Sequence, residues 1–166
     1  MQTRRKRRVK ILAFFLGATM STAGTATHLC SSLGVQTRGQ GFYGLGGELT
    51  RCLREMHAGS GLLSVFCTHT SASLCIQENA DPDVLLDLTA ALHRLAPEGG
   101  HYRHSSEGPD DMPAHIKTML TAVQLSLPVR AGRLALGTWQ EVYLIEHRTA
   151  PHRRRLELDF LGSAAG

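Results

Sequence analysis

Gly61-Leu-Leu-Ser-Val-Phe-Cys-Thr-His-Thr-Ser-Ala-Ser-Leu-Cys-Ile-Gln-Glu-Asn-Ala-Asp-Pro82 contains two short apolar runs, residues 62–67 and 74–76. Both have the composition of strands. Between them lie His69, Thr70 and Ser71, three hydrogen-bonding side chains where the chain must turn. After the second run, residues 77–82 read as a strand end followed by a helix start. Asp81 is a good N-cap. Pro82 suits the first helical position, where its missing N–H would be unpaired anyway. His69, Glu78, Asn79 and Asp81 therefore fall at the ends of neighbouring elements, where polar groups can meet a ligand without disturbing a core.

Working outward, residues 82–95 form the clearest helix. Val84, Leu85, Leu88, Ala91, Leu92 and Leu95 make one apolar stripe, and Pro97 with Gly99-Gly100 stops it. On the N-terminal side, Leu49, Leu53 and Met56 predict an amphipathic helix over residues 46–58, and the Gly-rich residues 33–43 suggest an edge strand. On the other side, a polar loop over residues 101–111 leads into a helix over residues 112–124, with His115 at the edge of its apolar face. The last third alternates as strands do. Leu125, Leu127 and Val129 share a face, Ala131-Gly132 signals a hairpin, and residues 133–137 return. A strand over residues 139–147 has apolar side chains on both faces, and Leu156, Leu158 and Phe160 define a last strand. The expected class is α+β: mostly antiparallel strands in a sandwich-like sheet with two or three helices. One domain is expected over residues 35–162, with a loose tail at 163–166.

Composition narrows the partners. The 166 residues are 42% hydrophobic and 19% charged, as in ordinary folded proteins. The net charge of +4 rests on Arg4, Arg5, Lys6, Arg7, Arg8 and Lys10; the remainder is slightly acidic, which gives no electrostatic case for nucleic acid. Residues 1–34 read as an N-terminal extension. Its apolar run at 11–18 is too short to span a bilayer, which takes about 20 residues, though it has the shape of a signal peptide. The expected location is cytoplasmic, or exported if residues 1–26 are a signal peptide. The four cysteines form no Cys-x-x-Cys, so zinc-ribbon and thioredoxin readings fail, and Cys67 and Cys75 read as reduced.

The chemistry lies in polar residues at element ends. His69, His104 and His115 suit zinc or another divalent ion, with a position left for water. Glu146 or Asp81 could ligate it or orient a histidine. No His-Glu-x-x-His is present, and each histidine taken alone also fits a loop or core role. Ser71 with His69 lacks the Gly-x-Ser-x-Gly elbow of a nucleophile. The helix starts at Asp81-Pro82 and Asp111-Pro113 offer anion sites, with a phosphate expected near His104 and His115. No phosphate-binding Gly-rich loop occurs. Trp139 reads as a core indole, and Arg153-Arg154-Arg155 as a solvated strand start.

Together these motifs resemble the YjbQ family. The match rests on His69-Thr70-Ser71-Ala72-Ser73, on Glu78-Asn79-Ala80-Asp81-Pro82, and on His104 with residues 107–115. Leu136-Gly137-Thr138-Trp139-Gln140 and Glu146-His147-Arg148 complete it. The resemblance implies a jelly-roll-like β-sandwich, a homotrimer, and a divalent-metal (zinc or magnesium) or anion site. It also implies a secondary thiamine-phosphate synthase activity, which joins a pyrimidine pyrophosphate to a thiazole phosphate and releases pyrophosphate. On that basis His69, His104, His115, Asp81 and Glu146 are the expected catalytic set, with the three histidines as metal ligands. Thr70, Ser71, Asn79 and Gln140 are the expected ligand contacts, and the partner is a small phosphorylated molecule or anion. The alternative is a trimeric metal- or anion-binding protein without turnover. Two places depart from the family pattern: Gly46-Gly47 replaces Ile-Thr, and Glu141 replaces a glycine.

Overall fold

The computed structural model describes residues 26–166. The basic cluster and the apolar run at 11–18 lie outside the described residues. The elements run β1 (Thr27–Gln36), β2 (Gly41–Gly44), α1 (Gly46–Glu55), β3 (Ala58–Cys67), β4 (Ala72–Glu78), α2 (Pro82–Leu95), α3 (Asp111–Leu120), β5 (Gln124–Arg130), β6 (Arg133–Leu134), β7 (Gln140–Glu146) and β8 (Arg153–Ala164). The fold is mixed α+β with three helices and two antiparallel sheets. The larger sheet has the order β1-β8-β3-β5-β6 and the smaller β2-β7-β4. Among the described residues, no helix is long and apolar enough to cross a membrane.

Period-two patterning sets the inward faces. Leu63, Val65 and Cys67 of β3, Leu127 and Val129 of β5, and Leu156, Leu158 and Phe160 of β8 are buried in one cluster with Ala72 and Leu74 of β4 and Val142 and Leu144 of β7. The inner faces of both sheets thus share a core. Helix α1 closes one end of it with Leu49, Cys52 and Leu53. Gly61 opposes Gly162 across β3 and β8; a Cβ on Gly61 would collide with the Leu161 carbonyl oxygen, so only glycine fits there. The β5–β6 turn places Ala131 at φ 47° and Gly132 at φ 74°, the left-handed pair that two-residue hairpins require.

The structure revises several expectations. Regular structure is present before residue 35: β1 pairs residue by residue with β8 from Thr27 to Gln36, and Leu33 is buried. The glycine-rich segment supplies two strands in different sheets rather than one edge strand. At the other end, β8 continues to Ala164, into the expected tail. Helix α3 stops at Leu120 because Thr121 is extended and Ala122 bridges Leu74 of β4. Trp139 is 63% exposed, not a core indole; it sits at the tip of a turn closed by the Gly137 amide donating to Gln140 Oε1. Helix α2 spans the expected residues, with Asp81 accepting from the Asp83 amide. No α2 residue is fully buried, so its apolar stripe is only partly covered.

The two departures from the family pattern meet in space. Glu141 Oε1 accepts from the Gly46 amide at 2.8 Å, at the start of α1. A Cβ on Gly46 would lie 2.7 Å from that same oxygen. A carboxylate from β7 therefore occupies the space a side chain at 46 would need, and satisfies one of the amides left unpaired at a helix N-terminus.

Candidate functional site

Strands β4 and β7 set two ends. Ala72 opposes Glu146 and Glu78 opposes Gln140, antiparallel. At about 3.4 Å per residue the ends are roughly 20 Å apart. Asn79, Asp81 and Gln140 belong to the far end. Asp81 caps α2, Gln140 closes its own turn, and the Asn79 amide donates to the Trp139 carbonyl. The remaining expected residues gather at the near end, where the turn after β3, the start of α3 and the segment after β7 come together.

The centre of that end is Asp111, in the first turn of α3 and 2% exposed. His104 Nε2 lies 2.7 Å from Asp111 Oδ2, and His115 Nε2 lies 3.3 Å from the same oxygen. The two imidazoles are tilted against each other with centroids 5.5 Å apart. His115 Nδ1 is 3.0 Å from the Thr70 carbonyl oxygen. That acceptor holds the ring proton on Nδ1 and leaves the Nε2 lone pair directed at the cluster. Asp111 Oδ1 is held from behind by the Arg148 guanidinium. Arg148 also reaches Asp110 Oδ2 at 3.1 Å and donates to the Glu107 carbonyl at 2.7 Å, tying the polar loop to the end of β7. Burial would raise the Asp110 carboxyl, but the Thr149 amide, Arg148 and the Thr149 hydroxyl outweigh it and hold it at about 2.

Three further expected residues take neighbouring positions. Glu146 is buried and accepts from Thr37 and from Arg154, so its carboxylate has structural partners. Burial pushes that carboxyl up, and Arg154, the Arg148 amide and Thr37 more than reverse it. Arg154 also donates to the Ser71 carbonyl. His69 stands outside the Asp111 set: its Nε2 accepts from the Arg155 amide at 2.8 Å, which leaves the proton on Nδ1. Burial, then Arg154, lowers its pKa and keeps it neutral. His69, Thr70, His115 and Thr118 line an open cleft of about 700 Å³ beside the cluster. Among the described residues, Thr118 Oγ1 is buried without a hydrogen-bond partner.

Below lies a second polar layer. His147 Nε2 is 2.8 Å from Ser73 Oγ, which accepts from Thr121. Burial, then Lys117, pushes the His147 pKa down to about 4.

Asp111, Arg148 and Thr118 are absent from the site residues expected from sequence. Asp111 and His115 are four apart on a helix, so they share a face one turn apart. That spacing is legible in the sequence. Arg148 comes from a strand end and needs the tertiary fold. The three ligand atoms of His104, Asp111 and His115 all lie within 4.8 Å of one another, close enough for one ion to join them.

Comparison with known proteins gives a consistent relationship. A family model described as UPF0047 protein YjbQ-like matches residues 31–163. A UPF0047 protein of Synechocystis is 46% identical over 138 residues, covering 82% of this chain and 94% of that protein. The UPF0047 protein YjbQ of Escherichia coli O157:H7 is 40% identical over 126 residues, covering 75% and 91%. Among solved structures, a YjbQ/UPF0047-family protein of Clostridium acetobutylicum superposes with TM-score 0.71 at 32% identity, covering 78% of this chain and 98% of that one. A conserved hypothetical protein of Thermus thermophilus gives TM-score 0.69 at 37% identity, covering 77% and 97%. These descriptions carry a family and no reaction.

Proposed function

The chain belongs to the UPF0047, YjbQ-like family, and from that premise we propose that it binds a divalent metal at His104, Asp111 and His115 and acts on a small phosphorylated substrate in the adjoining cleft. The reaction class is pyrophosphate-releasing transfer of the thiamine-phosphate synthase type, as a secondary activity. The observation that carries the reading is the convergence of two imidazole Nε2 atoms and one buried carboxylate oxygen. This donor set fits zinc or a similar first-row ion better than magnesium, which prefers oxygen ligands and retained waters.

The surrounding residues support the same reading. Thr70 fixes the His115 tautomer, and Arg148 holds Asp111 in place. A bound ion supplies a Lewis acid that stabilises charge on a leaving pyrophosphate. His69 Nδ1–H is a donor for phosphate oxygens in the cleft. The jelly-roll-like sandwich expected from the family fits two antiparallel sheets that share a core. Exposed Phe66, Leu86 and Met119 favour association, consistent with a homotrimer. Four unpaired cysteines suit a reducing, cytoplasmic compartment.

The test is metal content by mass spectrometry on the full chain, for wild type and a His104→Ala/His115→Ala variant, with oligomeric state read on the same samples. Loss of one metal equivalent with assembly intact is expected. Pyrophosphate release from a pyrimidine pyrophosphate and a thiazole phosphate is then measured for both. Equal metal content in the two proteins would overturn the site. Metal loss without turnover in the wild type would leave a trimeric metal-binding protein.

A further inference from the structure

On the outer face of the larger sheet, His28 and Cys30 of β1 stand two residues apart and therefore on one side of the strand. Asp159 of β8 is the direct cross-strand partner of Cys30. His28 Nε2 is 2.8 Å from Asp159 Oδ1, Cys30 Sγ is 3.3 Å from His28 Nε2, and Cys30 Sγ is 3.3 Å from Asp159 Oδ1. From this triangle of nitrogen, sulfur and oxygen, we infer that His28, Cys30 and Asp159 form a second metal site, for zinc or another thiophilic first-row ion, independent of the His104 centre. Three protein ligands leave the fourth tetrahedral position to water.

The geometry separates this reading from its competitors. In a Cys-His-Asp nucleophile triad the carboxylate holds one ring nitrogen and the thiol faces the other. Here a single nitrogen, Nε2, is the nearer ring atom to the thiol and the one that meets the carboxylate; His28 Nδ1 is 3.9 Å from the sulfur. The three atoms surround one point instead of forming a relay. Tetrahedral zinc with ordinary bond lengths needs ligand atoms about 3.4–3.6 Å apart. The observed separations are within several tenths of an ångström of that, and all three side chains are exposed and free to open outward. The set also mixes imidazole, thiolate and carboxylate, a combination suited to zinc and ill suited to calcium or magnesium. On binding, the metal–sulfur bond replaces the thiol S–H, and the proton goes to solvent. His28 and Cys30 precede Ser31, where the family match begins, and Asp159 lies within it.

Cobalt(II) titration of the full chain is the direct experiment. Cobalt takes tetrahedral zinc sites, and a cobalt–thiolate bond gives near-ultraviolet charge-transfer absorbance that nitrogen and oxygen ligands alone do not. The His104 centre contains no sulfur, so the band distinguishes this site from that centre, and Cys30→Ser distinguishes it from the other three cysteines. One thiolate-bound cobalt per chain is expected, displaced by zinc. Cys30→Ser should abolish the band, and His28→Ala should weaken binding by roughly 10–100-fold or more. The His104→Ala/His115→Ala variant should keep it, which separates failure here from failure of the other centre. Positions 28 and 30 are exposed on an edge strand, and unchanged circular dichroism confirms the fold of each variant. No charge-transfer band in the wild type, or an undiminished one in Cys30→Ser, would overturn the site.

Discussion

Asp111 divides its two oxygens between different tasks: Oδ1 faces Arg148, and Oδ2 faces the two histidines. The two kinds of substitution around it should therefore behave differently. Asp111→Asn removes a ligand and leaves Arg148 with Asp110 as its remaining carboxylate, so it should cost about 1–3 kcal/mol, the loss of a charged hydrogen bond at a buried site. His104 is 44% exposed, so His104→Ala should lose metal with a stability change within about 1 kcal/mol. Urea unfolding of both variants, alongside metal content, separates support from ligation. A second residue pair is coupled by exclusion. Glu141 fills the space next to Gly46 and caps α1, so Gly46→Ala and Glu141→Gly should be non-additive. The double variant should be more stable than the sum of the singles by roughly 0.5–1.5 kcal/mol; an additive cycle would mean that the carboxylate swings clear at no cost.

At the level of elements, the end of β7 and the start of α3 form a polar layer whose titration should shape the stability curve. His147 titrates near 4 when folded, because of burial and then Lys117, and near 6.5 when unfolded. Between those values the unfolded chain binds the extra proton. Stability is thus fully present above about pH 6.5 and falls as pH drops towards 4, by roughly 3 kcal/mol. Asp110, held at about 2, and the lowered Glu146 act in a separate window. The Asp110 contribution is present above about pH 4 and is lost as pH falls towards 2, and that of Glu146 is likewise lost in acid. Urea midpoints measured from pH 7 to pH 2 should show both falls, and His147→Gln should flatten only the upper one. The element pattern is largely legible in the sequence, because period-two and period-3.6 patterning is local: α2 matches its expected span, and β5, β7 and β8 match in position. Asp111 and His115, four apart on α3, are equally legible as neighbours. What sequence does not reveal is pairing at a distance. Thr37 with Glu146 and Arg148 with Asp111 join elements of different sheets, or a loop and a helix, and Asn79 stands at the opposite end of β4 from the turn that meets His115. Trp139 misleads because an apolar residue before a strand resembles core until the turn that lifts it out is known.

For the whole molecule, the decisive question is where the folded unit begins. Residues 27–34 lie in what composition alone marks as an extension, yet they hold most of β1, which pairs with β8 along its full length. Leu33 is in the core, and Leu29 packs against it. Full burial of a leucine side chain is worth about 1.5–3 kcal/mol, and the ladder bonds are lost with it. Removing β1 also opens the long edge of β8, a template for pairing between chains. A chain of residues 26–166 keeps the whole of β1 and is the reference. A chain of residues 35–166 should melt on the order of 10 °C lower, a shift that several kcal/mol produces in a domain of this size, and should aggregate on heating. Calorimetry with light scattering on the two truncations measures this directly. The same truncation deletes His28 and Cys30, so the cobalt–thiolate band should vanish from 35–166 even where the fold persists at low temperature, while metal at His104, Asp111 and His115 remains. Equal melting of the two truncations would mean that β1 is an accessory strand, and that the core of β3, β5 and β8 stands without it.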